Sequence, residues 1–391
     1  MKLGIPKEIM AEENRVAAIP ETVAKFVQKG YSLVVESGAG RGIFIDDEEY
    51  RKAGAVVVSD TEEVFKTADV ILKVKQPEFN EKLQKHEIDM LRDDSILITF
   101  LHPAAPASRE NVLRLEEKGV TALTMDAIPR TSRAQRMDAL TSMSTVTGYR
   151  AVLMAAMALP KFIPMVGTAV GAIKPAKFLI LGCGVVGLQA VATAKRLGAI
   201  VQIVDIRKDA QEQAESLGAT VAGFDVPEDL AKGSGGYAKA LPPEWLEKER
   251  ELLQPLVADA DGIILSALVP GETAPILITA EMATLMKPGS AIIDVSIDQG
   301  GNCAVTQPGK EIMFHNVKVS GLQNIPGRMA FHSAWMYANN MYYFVENAFK
   351  DGKTLDLNDD IVQSSLMCRE GHCVHNGTLK ALGRLKEVVN G

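Results

Sequence analysis

Three glycines at positions 182, 184 and 187 have the spacing G-x-G-x-x-G, and their chemical meaning is the clearest in this chain. Gly182 permits a tight turn, Gly184 lets the backbone approach a pyrophosphate, and Gly187 lets a helix pack closely against a strand. Asp205 follows further along the chain, and its carboxylate can accept hydrogen bonds from a ribose 2′-hydroxyl but would repel a 2′-phosphate. The pattern therefore predicts a site for NAD(H) rather than NADP(H).

The segments around these glycines are the elements that such a site requires. Residues 178–181 are typical of a buried parallel strand, and an apolar helix follows that ends near Gly198. A second strand, residues 200–204, leads directly into Asp205. The glycine spacing alone is also found in ordinary turns, but strand, turn, helix, strand and acid in register favour a dinucleotide site. The free N–H groups at the start of the helix would hold the phosphates.

A second set of polar residues stands where other predicted strands end: Arg15, Lys73, Lys75, His102 and Asp298. In an open α/β sheet, ligands bind at the carboxyl ends of the strands. Beside a nicotinamide, Arg15 could clamp a substrate carboxylate and Lys75 could polarise a carbonyl or imine. His102 could carry protons near neutral pH, and Asp298 could orient water or ammonia. Such a set would oxidise an amino or hydroxy acid. The alternative is that each residue simply ends a strand or turn in solvent.

A further group of polar residues, at 129–138, lies in one continuous segment rather than at the ends of separate strands. Arg130, Gln135 and Asp138 combine a cation, an amide and an acid within a short stretch. A mobile loop of this composition can donate and accept hydrogen bonds around a flat carboxamide ring. A solvated loop without such a role is the alternative.

The composition excludes several classes of protein. The chain has 391 residues and a net charge of −7, which argues against nucleic acid as a partner. Four cysteines in a chain of this length do not form a disulfide framework, and they fit a reducing compartment. The longest apolar run, residues 151–160, is too short to span a bilayer. Residues 368–375 contain Cys and His, but the segment is more typical of a β-hairpin than of a zinc site, so no metal is predicted.

Short apolar runs alternate with helical patterns along the chain, which indicates parallel sheets with crossover helices. We predict an α/β fold with two doubly wound, Rossmann-like parallel-sheet domains and a cleft between them. Residues 144–159 and 332–349 are predicted helices, the second of which returns the chain to the first domain. The predicted domains are residues 1–140 with 331–391, and residues 141–330, which bind NAD.

Several segments together resemble the alanine dehydrogenase/pyridine nucleotide transhydrogenase family over essentially the whole chain. They are Ile-Pro-Lys-Glu at 5–8, Glu-Asn-Arg-Val-Ala at 13–17, Gly-Ala-Gly at 38–40, Met-Lys-Pro-Gly at 286–289 and Gly-Gly-Asn-Cys at 300–303. Residues 130–138 and 235–239 are similar to two loops of the transhydrogenase branch. The resemblance implies that Arg130, Gln135 and Asp138 face the nicotinamide and that a mobile loop with Tyr237 closes over NAD(H). It also implies a homodimer, a partner subunit that binds NADP(H), and a separate membrane subunit that conducts protons.

Some residues match the dehydrogenase branch instead. Lys75 and His102 are similar to the catalytic lysine and histidine of the dehydrogenases, and the acid Asp298 departs from the transhydrogenase pattern. The main hypothesis is therefore an NAD(H)-binding transhydrogenase subunit that transfers hydride to bound NADP⁺. A stand-alone NAD-dependent amino-acid dehydrogenase that uses Arg15, Lys75, His102 and Asp298 is the alternative, and a catalytically silent NAD-sensing module is a third.

Under the main hypothesis the chain is cytoplasmic, at the inner face of the cell membrane where its partner subunits would lie, and does not insert into the bilayer. The predicted cofactor is NAD. The predicted cofactor-binding residues are Gly182, Gly184, Val185, Val186, Gly187, Asp205, Ile206, Arg207, Tyr237, Ala267 and Leu268.

Overall fold

The computed structural model describes residues 1–102, 108–233, 237–269 and 272–384. Its backbone contacts divide the chain into two units. The first unit comprises Met1–Met143 and Pro326–Gly391, and the second comprises Ser144–Ile325. No helix in the described ranges has the length and apolar character needed to cross a membrane.

The first unit is built on one eight-stranded sheet. Up to residue 143 the elements are β1 (Lys2–Ile5), α1 (Pro20–Gln28), β2 (Ser32–Glu36), α2 (Asp47–Lys52), β3 (Val56–Val58), α3 (Thr61–Thr67), β4 (Val70–Leu72), β5 (Phe79–Asn80), β6 (Lys85–His86), α4 (Glu87–Met90), β7 (Ile96–Thr99), α5 (Arg109–Lys118), β8 (Thr121–Thr124) and the start of α6 (Ala139–Ala158).

The second unit contains a seven-stranded sheet and a separate hairpin. Its elements are β9 (Val166–Thr168), β10 (Gly171–Ile173), β11 (Lys177–Leu181), α7 (Val185–Arg196), β12 (Ile200–Val204), α8 (Lys208–Ser216), β13 (Thr220–Val221), α9 (Glu228–Ala231), α10 (Pro243–Asp259), β14 (Gly262–Leu265), α11 (Ala280–Thr284), β15 (Ala291–Asp294), β16 (Glu311–Phe314) and β17 (Val317–Ser320). The chain then completes the first unit with α12 (Ala330–Ala348), α13 (Asp360–Ser365), β18 (Leu366–Arg369), β19 (His372–Cys373) and α14 (Asn376–Ala381).

The strand order in the first unit is β19-β18-β8-β7-β4-β1-β2-β3. The six strands from β8 to β3 are parallel, whereas β18 and β19 are antiparallel additions at one edge. Side chains of β2 and β4 alternate between two apolar clusters, one on each face of the sheet. Burial on both faces explains why these strands are continuous apolar runs. Tyr337 and Phe344 of α12 are fully buried in one of these clusters, together with Phe26 of α1.

The second sheet has the order β13-β12-β11-β14-β15-β17-β16. All neighbours are parallel except β16 and β17. The chain starts at the centre and winds outward in both directions, as in doubly wound dinucleotide-binding folds. The predicted α/β class with two Rossmann-like, mainly parallel sheets is confirmed, and so are the predicted helices, observed as α6 and α12. The exposed hairpin β9–β10 and the antiparallel strand β16 have no counterpart in the sequence prediction.

Candidate functional site

The glycine turn joins β11 to α7 with the geometry that the sequence predicts. Gly182 has a φ of 86°, and a Cβ there would lie 2.8 Å from the backbone of Ala267. A Cβ on Gly187 would lie 2.0 Å from the carbonyl oxygen of Gly182. At Gly184, the N-cap residue of α7, a Cβ would meet no protein atom within 4 Å. The turn thus leaves open space at the helix N-terminus, where the backbone N–H groups of Val185 and Val186 can face an anion.

Asp205 lies at the end of β12, next to this turn, and its carboxylate already accepts hydrogen bonds from within the protein. Its carboxylate accepts hydrogen bonds from the backbone N–H of Cys183 (2.6 Å) and of Arg207 (2.8 Å). The Nε and Nη2 groups of Arg207 donate further hydrogen bonds to it at 3.0 and 2.8 Å. The Arg207 guanidinium therefore stands beside the carboxylate that the sequence assigns to the ribose. Ile206 lies between the two and is partly buried.

Glu249 is a second carboxylate near Asp205, and no sequence motif marks it. It lies on the buried face of α10 with Leu253 and Val257 and is 6% exposed. Burial, together with the negative charge of Asp205, raises the pKa of the Glu249 carboxyl to about 7 against the opposing charge of Arg250. Its place in the apolar stripe of α10 is the only signal that the sequence offers for this residue.

Ala267 and Leu268 follow β14, the strand beside β11. Their position depends on Asn302, which is completely buried. The Asn302 side chain accepts from the N–H of Ala267 at 3.0 Å and donates to its carbonyl at 2.8 Å. Asp294 in turn accepts from the backbone N–H of Asn302 at 2.9 Å. This network holds the loop after β14 against the glycine turn, a role that no sequence pattern indicated for Asp294 or Asn302.

The predicted mobile loop with Tyr237 is described only at its two ends, because Ser234, Gly235 and Gly236 lie outside the described residues. Lys232 and Ala238 form an antiparallel bridge, and the N–H of Gly233 donates to the carbonyl of Tyr237 at 2.9 Å. Lys232 also pairs with Asp209 of α8 at 3.2 Å. The two ends of the segment are therefore held together beside α8.

In the first unit, the sheet brings three of the predicted catalytic residues to one edge. Arg15 follows β1, Lys75 follows β4 and His102 follows β7. These strands are parallel, and they are neighbours in the order β7-β4-β1, so their carboxyl ends share one edge of the sheet. Asp298 lies in the second unit, where it is exposed and accepts a hydrogen bond from Gln323 at 2.6 Å.

Arg15 is buried and locked to Glu13. Its Nε and Nη2 donate to the two carboxylate oxygens of Glu13 at 2.8 and 2.5 Å, and Nη1 contacts the sulfur of Met143 at 2.9 Å. Burial would raise the pKa of the Glu13 carboxyl, but the Arg15 guanidinium, its hydrogen bonds and the charge of Lys75 hold that pKa below its usual value. Both residues line a pocket of about 310 Å³. An incoming carboxylate would have to compete with Glu13 for Arg15.

Lys73 is part of a buried ion-pair network and does not reach solvent. It is completely buried, and its Nζ contacts Glu8 at 3.2 Å and Glu87 at 2.9 Å. Burial raises the pKa of both carboxyls, whereas the two acids together raise the pKa of the lysine above its usual value. Tyr337 donates a hydrogen bond to the Lys73 carbonyl at 2.8 Å, which ties the end of β4 to α12.

His102 is held by Asp126, an acid that the sequence did not single out. The Nδ1 of His102 lies 2.8 Å from Oδ1 of Asp126, and its backbone N–H donates to Oδ2 at 2.8 Å. Burial would raise the pKa of Asp126, but the imidazole and the hydrogen bonds from His102 and Thr124 lower it to about 2. His102 has a φ of 46° and stacks on Phe100, with ring centroids 5.5 Å apart. A histidine oriented by a carboxylate suits proton transfer.

The segment from Arg130 to Asp138 was predicted as a loop, but Ser132–Met137 form a 3₁₀-helix. Ala134 and Met137 of this helix are buried in the apolar core of the unit, which explains the regular structure. Asp138 caps α6, since it accepts from the N–H and hydroxyl of Thr141 at 2.8 and 2.6 Å.

The same segment is anchored to α12 and α13. Arg133 pairs with Asp359 at 2.6 Å, and Arg136 stacks 3.6 Å over the ring of Tyr343. Arg130 and Gln135, the predicted nicotinamide contacts, are exposed side chains on this anchored frame. The frame presents them to solvent and restricts the motion of the backbone that carries them.

A glycine turn with an acid at the end of the next strand, on a doubly wound sheet, defines a dinucleotide-binding α/β protein. The chain belongs to the alanine dehydrogenase/PNT family, whose N-terminal domain matches residues 4–147 and whose C-terminal domain matches residues 151–376.

Individual relatives agree with this assignment. The chain is 41% identical to the first portion of the NAD(P) transhydrogenase alpha subunit of Rhodospirillum rubrum, over 96% of this chain and 98% of that protein. It is 32% identical to alanine dehydrogenase of Bacillus subtilis, over 98% and 95% of the two chains. The solved structure of transhydrogenase from Sinorhizobium meliloti superposes with a TM-score of 0.83, at 37% identity over 96% of this chain and all of the other.

Proposed function

We propose that this chain is the NAD(H)-binding subunit of an NAD(P) transhydrogenase. In this oxidoreductase, hydride passes directly from NADH to NADP⁺ held by a partner subunit, which yields NAD⁺ and NADPH. The full-length similarity to the Rhodospirillum rubrum subunit carries the proposal, because it covers both units and exceeds the identity shared with alanine dehydrogenase.

The residues of the second unit fit NAD(H). The space at Gly184 and the N-terminus of α7 would receive the pyrophosphate, with Val185 and Val186 donating from their backbone. Asp205 would accept from the adenosine ribose in place of part of its contact with Arg207. Ala267 and Leu268, held by Asn302, would line the same pocket, and Tyr237 would cover it. The bound dihydronicotinamide supplies the hydride.

In this reaction the protein contributes position and electrostatics rather than acid–base chemistry. We assign to Arg130, Gln135 and Asp138 the orientation of the nicotinamide toward the partner's cofactor. Gln135 is exposed and so can reach a ligand, while Asp138 caps α6 and would fix the direction of the segment.

One experiment tests the assignment against its main competitor. The purified chain is incubated with NADH, ammonia and a panel of 2-oxo acids, and absorbance loss is followed. We expect no turnover, and we expect reduction of a nicotinamide analogue once an NADP(H)-binding subunit is added. Robust turnover of pyruvate or glyoxylate that is lost in Lys75→Ala would overturn the proposal.

A stand-alone amino-acid dehydrogenase is the second candidate function. The gathering of Arg15, Lys75 and His102 at one sheet edge, with Asp126 orienting His102, favours it. Against it, the Arg15 side chain already donates two hydrogen bonds to the carboxylate of Glu13. Substrate binding would have to displace a buried ion pair, which is costly.

We further propose a homodimer that docks onto the NADP(H)-binding and membrane subunits at the inner face of the cell membrane. Exposed apolar side chains at the hairpin β9–β10 support self-association, since Val170 in its turn is 99% exposed and Met165, just before β9, is 71% exposed. Large apolar side chains that are this exposed can form a contact surface. Sedimentation analysis of the chain alone should give a dimer, and Val170→Lys should weaken it.

A further inference from the structure

A tight hairpin near the C-terminus places two cysteines face to face. Strands β18 and β19 are antiparallel, and their register pairs Cys368 with Cys373. Glu370 and Gly371 form the turn with φ values of 52° and 76°. Two successive residues with positive φ are the signature of a type I′ turn, whose twist matches that of the flanking strands. The turn therefore specifies which residues lie opposite each other.

The cysteines occupy a pair of the kind that exchanges no backbone hydrogen bonds. The N–H of Val374 donates to the carbonyl of Met367 at 2.8 Å, one step further from the turn. The N–H of Cys373 instead points away from β18 and donates to Glu116 of α5 at 2.8 Å. In such pairs the Cα atoms are roughly 4.5 Å apart, within the range that a disulfide spans.

We propose that Cys368 and Cys373 are a reversible dithiol–disulfide site that is oxidised by small-molecule disulfides and reduced again by dithiols. The Cys373 thiolate attacks one sulfur of the oxidant R–S–S–R, so that a mixed disulfide forms and RS⁻ leaves. The Cys368 thiolate then attacks the Sγ of Cys373 and displaces the second RS⁻. The two cysteine protons end on two RSH molecules, and the two cysteines lose the two electrons that the oxidant gains.

Cys373 is the attacking residue because of its surroundings. Its contact with Cys368 and the nearby backbone of His375 lower the pKa of the Cys373 thiol, whereas burial and the charge of Glu116 oppose this shift. The pKa of Cys368 is raised by the same contact and by burial. Cys373 is also on β19, the edge strand, and is 7% exposed, whereas Cys368 is fully buried.

The other two cysteines provide matched controls. Cys183 and Cys303 are buried in the second unit, and burial raises the pKa of each thiol. Both are free thiols, and they are buried in different apolar clusters of that unit. Oxidation should leave both of them as free thiols.

The test treats the full chain with excess oxidised glutathione, followed by acid quenching, denaturation, alkylation and mass spectrometry. We expect a loss of two hydrogen atoms, alkylation of Cys183 and Cys303 only, and a single linked pair of peptides that joins 368 to 373. Dithiothreitol should restore four reactive thiols. Alkylation of all four thiols after oxidation, or a link that involves another cysteine, would overturn the proposal. This measurement needs no variant, so it does not depend on whether a variant folds.

Two variants then assign the order of attack. Cys368→Ser should accumulate glutathione on Cys373, because the second step is blocked. Cys373→Ser should form adduct at least tenfold more slowly at residue 368, since that thiol is buried and carries the raised pKa. Circular dichroism checks that both variants are folded like the native chain. If they are, and if both form the glutathione adduct at equal rates, Cys373 is not the attacking residue. Cys183→Ser should retain the link.

Discussion

Substituting Asp205 with asparagine should weaken NADH binding and strengthen NADPH binding at the same time. Asparagine keeps one carbonyl oxygen, which can still accept from the N–H of Cys183, so the turn is preserved. It loses the negative charge that holds the Arg207 guanidinium through contacts at 3.0 and 2.8 Å. Arg207 could then pair with a 2′-phosphate, which a guanidinium can bind through two parallel hydrogen bonds.

The magnitude follows from the hydrogen bonds that change. A hydrogen bond to a charged acceptor contributes about 1.5–3 kcal/mol. NADH affinity should therefore fall roughly 10- to 150-fold, at about 1.4 kcal/mol for each factor of ten. NADPH affinity should rise about tenfold or more, because the repulsion between Asp205 and the 2′-phosphate is removed and the Arg207 guanidinium can donate to that phosphate.

Calorimetric titration of wild-type and variant chains with both cofactors, at one ionic strength, measures the two changes. Asp209→Asn is the matched control, since it removes a nearby carboxylate on α8 that pairs with Lys232 instead. The double variant Asp205→Asn/Arg207→Ala should lose the gain in NADPH affinity, while its NADH affinity should stay low. If wild-type NADH and NADPH affinities are equal, or if Asp205→Asn changes neither, the assignment of Asp205 to the ribose is refuted.

Three further predictions concern other regions of the chain. Gln135→Ala should slow hydride transfer to a partner-bound NADP⁺ much more than it weakens NADH binding, whereas the exposed control Gln28→Ala should change neither; equal losses in rate and binding would contradict an orienting role. The folded-state pKa of Glu249 lies at about 7, above its ordinary value of 4.5, so its contribution to stability is present below pH 4.5 and lost as pH rises through 7. Glu249→Gln should consequently raise the free energy of unfolding by about 3 kcal/mol at about pH 8 and leave it unchanged at about pH 4, and urea titrations that show no such pH dependence would refute the buried-acid argument. A chain ended after residue 325 loses α12 and β18, and with them Tyr337 and Phe344 of the first core, so it should give no cooperative thermal transition for the first unit; full stability would refute the dependence of that core on the returning segment.

The sequence predicted the fold class, the glycine turn and the strands on either side of it correctly, because these depend on local patterns. Apolar runs such as residues 178–181 become buried parallel strands wherever both faces are covered. The glycine spacing specifies a backbone path that other residues cannot follow, as the φ of 86° at Gly182 shows. The Glu370–Gly371 turn and its hairpin were predictable for the same reason.

The partners of the functional side chains were decided only by the tertiary structure. Asp126 meets His102 because β7 and β8 are neighbours in the sheet, which the pattern of apolar residues does not specify. Asn302 reaches Ala267 across 35 positions of the chain, and no local signal connects them. A charged residue at a strand end can equally face solvent, a ligand or a buried acid. Lys73 faces two acids, and only the packing of β4 against its neighbours, with α12 over its end, excludes water from it.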